Sequence, residues 1–226
     1  MSQLNLEQIA VKLESENLAD RMLALVSLEK VPATDAAPLI TKLIHDESHQ
    51  VRSMAISALG RKPTEESYSI LVNLLLGDPD YGVRASAAGA LGYLEDKRAF
   101  EPLVQALYED NEWLVRFSAV VSLGNLKDPR ARDALIQTLD SPEVVLQQAA
   151  ISALGEIGEL SAIDHILKFA QSDDWLTRQR LAEALGNLPG EKSQSALNFL
   201  EKDPHPQVSA AASLSLKQLA SMTEME

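Results

Sequence analysis

The sequence predicts an all-α protein, built as a right-handed α-solenoid of about seven stacked helix pairs. Three observations support this prediction. A phrase of the form Val-Arg-x-x-Ala-x-x-Ala-Leu-Gly recurs along the chain, its copies are almost evenly spaced, and the composition favours Ala and Leu with only 4% aromatic residues. Ala and Leu are strong helix formers, and a fixed period of roughly 20 to 50 residues is the sequence signature of repeat proteins.

The recurring phrase is clearest where it begins at Val51, Val83 and Val115, and each of these copies ends with a Leu-Gly pair. Fainter copies begin at Leu146 and Thr177. We take the second position of the phrase as the anchor. The anchors are 31 or 32 residues apart, at Arg21, Arg52, Arg84, Arg116, Gln147, Arg178 and Ser209. Such regular spacing indicates repeats of one structural unit.

Each repeat is expected to contain two helices. The first helix carries a phrase such as the one from Ala99 to Leu107, and the second carries the Val-Arg phrase. An Asp stands in the turn between them, where a carboxylate can cap the free N–H groups of a helix start. The Gly near the end of the second helix allows either close packing or a left-handed helix stop. The turn residues are Asp46, Asp78, Asp110, Asp140, Asp173 and Asp203.

One continuous array is expected, because a single helix pair cannot bury its apolar side and stacked neighbours form one core. The sequence predicts a single domain over residues 1–220 and an acidic, frayed tail over residues 221–226. Pro residues mark several of the links between repeats. The repeats are placed near residues 1–32, 33–63, 64–95, 96–127, 128–158, 159–189 and 190–220.

The charge and the missing residue types exclude several classes of function. A net charge of −13 repels the phosphates of nucleic acids and of anionic membranes, so neither is expected as a partner. The sequence contains no Cys, which excludes disulfides, thiolate metal ligands and a Cys nucleophile. The start of the chain lacks the features of a signal peptide, and no apolar run is long enough to span a bilayer. A cytoplasmic protein is therefore expected.

The repeat of about 31 residues, with Asp-x-x-x-x-Val-Arg-x-x-Ala-x-x-Ala-Leu-Gly as its pattern, resembles HEAT repeats of the phycobilisome-lyase type. The resemblance covers nearly the whole chain and implies a HEAT-type solenoid from a photosynthetic organism. This family includes bilin lyases of the E/F type, the non-bleaching protein B of cyanobacteria, and short IaiH-like scaffolds of cyanobacteria and plastids. The E/F-type lyases usually work as a two-subunit pair, and no residue of this chain marks it as an active lyase.

The second helices are expected to line the concave wall of the solenoid. Positions −1, +3 and +7 from the anchor are predicted to face the core, whereas positions −3, +1 and +5 lie on roughly the opposite side and should face solvent. In the fourth repeat this outward stripe is apolar and consists of Trp113, Phe117 and Val121. The stripes of the third, fifth and sixth repeats add Tyr81, Gln148, Trp175 and Gln179.

Aromatic residues surrounded by polar ones have the composition of a protein-binding hot spot. Together with Tyr81, the fourth-repeat stripe is expected to expose on the order of 300–500 Å², close to the size that marks binding surfaces. In an alternative interpretation, the aromatic residue three places before the anchor, such as Trp175, only staples the turn. That alternative explains Phe117 and Val121 less well, because the second, third, fifth and sixth repeats have small or polar residues at those positions.

The arginines at the anchor position are predicted to be structural rather than an anion-binding ladder. Each guanidinium is expected to bridge to an acidic residue of a neighbouring turn. The arginines are Arg52, Arg84, Arg116 and Arg178, and the expected acidic partners are Asp46, Asp78 and Asp110.

No catalytic or metal site is predicted. His45 and His49 are four residues apart, but they are expected to lie on either side of a turn, which breaks the geometry of a metal pair. No Gly-rich loop follows a strand, and no Ser-His-Asp arrangement stands out.

The sequence therefore predicts a non-catalytic scaffold for protein-protein interaction, without a cofactor, that holds another protein such as a phycobiliprotein or an assembly factor in its concave groove. The resemblance keeps an alternative open, in which the protein is an enzyme similar to a bilin lyase, or a chromophore-detaching protein, that acts on phycobiliproteins and binds a linear tetrapyrrole transiently.

Overall fold

The computed structural model describes residues 5–223, and all regular secondary structure in this range is helical. The α-helices of this part are α1 (Leu6–Leu13), α2 (Leu18–Ser27), α3 (Ala33–Lys42), α4 (His49–Arg61), α5 (Ser67–Gly77), α6 (Tyr81–Tyr93), α7 (Phe100–Glu109), α8 (Trp113–Asn125), α9 (Arg132–Thr138), α10 (Val144–Ile157), α11 (Ile163–Ile166), α12 (Trp175–Leu185), α13 (Glu191–Leu200) and α14 (Pro206–Thr223). Short 3₁₀ segments cover Leu28–Lys30, Leu43–His45, Lys97–Ala99, Pro129–Ala131, Leu160–Ala162 and Leu167–Gln171.

The α-helices alternate between first and second helices of the repeats, as the sequence predicts. The odd-numbered helices are the first helices, and the even-numbered helices carry the anchor positions. The chain divides into two compact units, residues 1–122 and residues 123–226, and the division falls within α8. Within residues 5–223, no helix is both long and apolar enough to cross a membrane.

The turn between the two helices of a repeat is built around its Asp. In the third repeat, Asp78 Oδ1 accepts a hydrogen bond of 2.9 Å from the backbone N–H of Asp80. The helix itself is capped by the later residue, because Asp80 Oδ1 accepts a bond of 2.8 Å from the backbone N–H of Gly82. Asp78 therefore shapes the turn, as Asp side chains commonly do, and does not cap α6. Asp46, Asp110 and Asp203 bond in the same way to the residue two places on.

The predicted core side of the second helices is buried. Positions −1, +3 and +7 of the third and fourth repeats are fully inaccessible to solvent, namely Val83, Ala87, Leu91, Val115, Ala119 and Leu123. Small and large apolar residues alternate along this side of the helix, which lets neighbouring helices pack at the density of a protein interior.

Second helices of consecutive repeats approach each other closely at the Gly that ends the phrase. A Cβ atom added to Gly60 would lie 2.8 Å from Cα of Ala90 in the first unit. In the second unit, a Cβ atom on Gly155 would lie 2.7 Å from Cα of Ala184. Among residues 5–223, the glycines with positive φ are at positions 158 and 190. Close packing is therefore the role of the phrase glycine, and the alternative of a left-handed stop is wrong there.

The end of the chain differs from the prediction. Helix α14 continues through Thr223, so residues 221–223 are helical and the predicted frayed tail is wrong for them. The helix extends because Val208, Ala212 and Leu219 keep one side of it buried almost to its end. Residues 1–4 and 224–226 lie outside the described part.

Candidate functional site

The anchor arginine of the third repeat joins two consecutive turns. Arg84 Nη1 donates a hydrogen bond of 2.9 Å to the carbonyl oxygen of Asp78 in its own turn. Its Nε and Nη2 atoms donate bonds of 2.7 Å and 3.0 Å to the two carboxylate oxygens of Asp110 in the next turn. This bidentate pair is mostly shielded from solvent, since the side chains of Arg84 and Asp110 are 17% and 10% exposed. The planar guanidinium is suited to such a bridge.

The same bridge recurs at other anchors. Each arginine bonds to the carbonyl oxygen six residues before it and forms an ion pair with a carboxylate of the next turn. The pairs are Arg21 with Asp46, Arg52 with Asp80, and Arg178 with Asp203. Gln147 keeps half of the arrangement, because its Nε2 donates a bond of 2.7 Å to the carbonyl oxygen of Ser141. Arg116 lies at the same position of α8 and is partly buried.

The acidic partners differ in one repeat from those expected. Asp46 and Asp110 form ion pairs with the anchor arginine of the preceding repeat, as expected. Arg52, in contrast, pairs with Asp80 instead of Asp78. Asp80 was missed because it lies two positions later than the conserved spacing of the other turns suggests; its place directly before α6 was the available signal.

These contacts shift the pKa values of the paired groups. Burial raises the pKa of Asp110, but hydrogen bonds from Arg84 and from the N–H of Glu112 outweigh it and hold the pKa below its ordinary value. The side-chain hydrogen bond from Arg178 lowers the pKa of Asp203. The hydrogen bond with Asp203 in turn raises the pKa of Arg178. The positive charges of Arg84 and Arg178 are thus balanced by carboxylates of the same chain, which favours the structural role of these arginines over anion binding.

We expect Asp203→Asn to lower the free energy of unfolding by about 2 kcal/mol at neutral pH, because the guanidinium of Arg178 loses its charged partner. The substitution should also weaken the loss of stability in acid. The folded-state pKa of Asp203 is lowered, so its contribution is complete above the pKa of an unfolded Asp, about 3.9, and is lost as the pH falls through the folded-state value. Urea unfolding followed by circular dichroism at several pH values measures both effects.

Asp164→Asn is the matched control, since Asp164 pairs with Lys192 on the surface and the two side chains are 68% and 62% exposed. Exposed pairs contribute little, so a change below about 0.5 kcal/mol is expected. Equal effects of the two substitutions would contradict a stabilising role for the anchor pair.

The predicted outward stripe of the first unit is partly open to solvent. Trp113 is 50% exposed, Tyr81 is 51% exposed and Val121 is 38% exposed. Phe117, in the middle of the stripe, is only partly exposed. The expectation of an open stripe is wrong for the third repeat at Ala85, which is 7% exposed.

The stripe of the third repeat is interrupted at Ala85 because of the size of that side chain. Ala85 is small enough to be covered by its surroundings, whereas the next stripe position, Gly89, is open, because a Cβ atom added there would meet no atom within 4 Å. Tyr93, at the end of α6, is 59% exposed and extends the exposed aromatic area beyond the predicted stripe. Tyr93 was not among the residues expected there.

The solvent side of α6 and α8 carries no charge. Each helix contains a single charged residue, its anchor arginine, in a chain whose net charge is −13. Trp113, Val121, Tyr81 and Tyr93 therefore form an aromatic and apolar surface, with Phe117 partly covered between the first two. We call these five residues the aromatic surface.

In the second unit, the side chains expected to bind a partner have contacts within the chain. Gln148 Nε2 donates bonds of 2.8 Å to Asp174 Oδ2 and 3.2 Å to Thr177 Oγ1. Gln179 Nε2 donates a bond of 2.8 Å to Glu183 Oε1.

Trp175 stacks on His205, with ring centroids 4.2 Å apart and planes inclined by 12°. Trp175 keeps 36% of its surface exposed, so one of its faces is covered by the imidazole while part of the ring reaches solvent. The turn-stapling interpretation fits this tryptophan, since His205 belongs to the next turn.

Within residues 5–223, no cluster of at least three His, Asp or Glu side chains could hold a metal ion. His45 ends a 3₁₀ segment and His49 begins α4, so the two lie on either side of a turn as expected.

Comparison with known proteins identifies the repeats. The family of HEAT repeats matches residues 6–92, 69–146 and 132–217. No curated protein sequence matches the chain. The fold class predicted from the sequence, an all-α HEAT solenoid, is confirmed.

Solved structures with a similar fold come from several sources. The complex of CpcE and CpcF of phycocyanin lyase from Nostoc sp. PCC7120 matches with a TM-score of 0.63 and 21% identity, over 97% of this chain and 96% of that chain. An archaeal HEAT-like repeats protein from Thermococcus onnurineus NA1 matches with a TM-score of 0.58 and 17% identity, over 98% and 99%. Kap95p, solved with RanGDP, matches with a TM-score of 0.62 and 15% identity, over 98% of this chain and 36% of that chain. The chain belongs to the HEAT-repeat family.

Proposed function

We propose that the protein is a non-catalytic scaffold that binds another protein through the second helices of its repeats, with the aromatic surface on α6 and α8 as the main contact. The observation that carries this proposal is the absence of charge on the solvent side of two neighbouring helices that expose Trp113, Tyr81 and Tyr93. In a chain with a net charge of −13, a solvent-exposed aromatic area without charge stands out from the rest of the surface, and exposed apolar areas commonly mark binding sites.

The chemistry of these residues suits protein binding. Tyr and Trp offer a large apolar area with few rotatable bonds, and they are enriched among residues that dominate binding energy. Both α6 and α8 are held rigidly by the fully buried residues on their core side, such as Val83, Val115 and Ala119. Binding therefore costs less free energy for ordering the surface than it would if the same side chains stood on a mobile loop.

The partner proposed is a phycobiliprotein or a factor that assembles one, in the cytoplasm of a photosynthetic organism. Support comes from the repeat pattern described above and from the structural likeness to the CpcE and CpcF complex of phycocyanin lyase.

A second candidate function is the handling of a bilin by the same aromatic surface, in a lyase-like or chromophore-detaching protein. The observation in its favour is that Trp113 is half exposed next to the partly exposed Phe117 on one side of α8. Aromatic side chains in this position can stack on the flat rings of a linear tetrapyrrole.

The binding of purified phycocyanin subunits tests the first function. We expect the Trp113→Ala/Phe117→Ala double variant to bind at least about tenfold more weakly than wild type in surface plasmon resonance, because hot-spot side chains contribute about 2 kcal/mol or more. Phe199→Ala is the control, since Phe199 is 55% exposed on α13, outside the aromatic surface. Full binding by the double variant would contradict the assignment of the site.

Titration with free phycocyanobilin tests the second function. A shift of the visible absorption that wild type and Phe199→Ala produce, and that the double variant loses, would favour bilin handling. Unchanged absorption together with phycocyanin binding would favour the scaffold. Absence of both signals would reject both functions for this surface.

A further inference from the structure

Helix α2 of the first repeat exposes apolar side chains on a side that second helices use elsewhere for packing. In the third repeat, the residue six places after the anchor is Ala90, and it packs so closely on α4 that a Cβ atom added to Gly60 would lie 2.8 Å from its Cα atom. Ser27 holds the same position in α2. One turn before it, Leu23 is 61% exposed, and Val26 beside it is 50% exposed. The outer side of an end repeat is normally polar, so this side of α2 is a candidate contact surface.

The row of residues around Leu23 is symmetric in side-chain size. Ala19 and Ser27 lie four residues before and after Leu23, so the three form one ridge along the helix. Ala19 is exposed and Ser27 is partly exposed, with its Oγ bonded to the carbonyl oxygen of Leu23 at 2.8 Å. A second α2 helix that lies antiparallel on this ridge places Leu23 on Leu23 and each Ala19 opposite a Ser27. The small residues allow a close approach, because helices pack by fitting large side chains between smaller ones.

The charges at the two ends of this row are complementary in the same antiparallel arrangement. Glu16 precedes α2 and lies seven residues before Leu23, and Lys30 follows α2 and lies seven residues after it. At 1.5 Å per residue, each charge is about 10 Å from the centre of the pair. Both residues are exposed. The carboxylate of one copy therefore meets the ammonium group of the other copy at both ends.

The charges nearest to this row are neutralised within the chain. Asp20 is paired with Lys12 at 3.6 Å, and Glu29 is paired with Arg61 at 3.4 Å. Within residues 5–223, the side chains of Glu16 and Lys30 have neither an ion pair nor a hydrogen bond. A net charge of −13 opposes the association of two copies over most of their surface. It opposes association much less on this side of α2, where the charges balance.

We propose that two copies of this chain associate through this side of α2, in a symmetric antiparallel pair centred on Leu23. The occupant is a second copy because one set of residues supplies both halves of the contact, as a two-fold interface requires. A single helix pair is smaller than a standard interface of about 1,600 Å², so we expect the dimer to dissociate on dilution. The aromatic surface shares no residue with this contact, and the proposal does not depend on the function proposed above.

Sedimentation equilibrium at increasing protein concentration tests the dimer. The mass of wild type should rise from that of one chain towards that of two. Leu23→Asp is expected to weaken the association at least about tenfold, because two carboxylates then face each other in an apolar contact. Leu214→Asp is the matched control, since Leu214 is 69% exposed on α14 in the second unit. Its association should equal that of wild type.

An exchange of the end charges separates this pairing from general stickiness. Glu16→Lys and Lys30→Glu should each weaken the dimer by about three- to tenfold, because two exposed ion pairs become repulsive. The double variant Glu16→Lys/Lys30→Glu keeps the net charge and should associate like wild type, since opposite signs meet again. Lys202→Glu, at an exposed position of the second unit, controls for net charge.

Circular dichroism of each variant verifies the fold, because an acid at the start and a base at the end of a helix also suit the helix dipole. Three outcomes would each overturn the proposal. They are a wild type that stays monomeric at all concentrations, a Leu23→Asp variant that associates like wild type, and a folded double variant that associates no better than the single variants.

Discussion

Ala119→Asp is expected to lower the free energy of unfolding by about 4 kcal/mol, which is a large part of the stability of most domains. Ala119 lies in the middle of α8 and is fully buried, as are Val115 one turn before it and Val120 beside it. A carboxylate at this position has no charged partner among these apolar neighbours. The group must either stay ionised without water or bind a proton, and both cost free energy. Urea unfolding followed by circular dichroism measures the change.

Phe117→Ala is the matched comparison, because it changes the same helix two residues earlier. Its expected cost is about 1–2 kcal/mol, below the 3–5 kcal/mol of a fully buried Phe. The sequence alone predicts an almost neutral effect, since it places Phe117 in solvent; the structure raises the expected value because part of the ring is covered. If Phe117→Ala proved as damaging as Ala119→Asp, the ring would be a core residue and the aromatic surface would lose its centre.

The core was predictable because a repeat fixes the phase of every second helix at once. When Val83 and Val115 occupy the same position of the phrase, each copy supports the same assignment of the buried side. The pairing of the anchor arginines followed from the same regularity for Arg84 and Asp110. Helix periodicity and repeat spacing are both properties that can be counted along the sequence.

Details that depend on neighbouring repeats were less predictable. Arg52 pairs with Asp80, although the side chains of Asp78 and Asp80 both accept a backbone N–H within the turn, so the spacing of the repeat does not decide which carboxylate the guanidinium meets. The burial of Ala85 depends on the atoms around it. Phe117, at the same position of the fourth repeat, is partly exposed. Such features depend on distances of a few ångströms, and periodicity does not specify them.

Gly60→Ala and Gly89→Ala are expected to change stability in opposite directions. At Gly60 the new Cβ atom would lie 2.8 Å from both the Cα and the carbonyl oxygen of Ala90. These are backbone atoms, so the clash is relieved only if α4 and α6 move apart. Overpacking of this kind costs about 1–3 kcal/mol. Because the same contact recurs at Gly155 and Ala184, the cost reflects the packing rule of the repeat and not one local accident.

At Gly89 a Cβ atom would meet nothing within 4 Å, and the residue lies in the interior of α6. Alanine there should stabilise the protein by about 0.5–1 kcal/mol, because glycine loses more backbone freedom on folding. Thermal and urea unfolding of the two variants measures the difference directly. Stabilisation by both substitutions would show that the second helices of the first unit lie further apart than this packing requires, whereas destabilisation by both would mean that position 89 is covered.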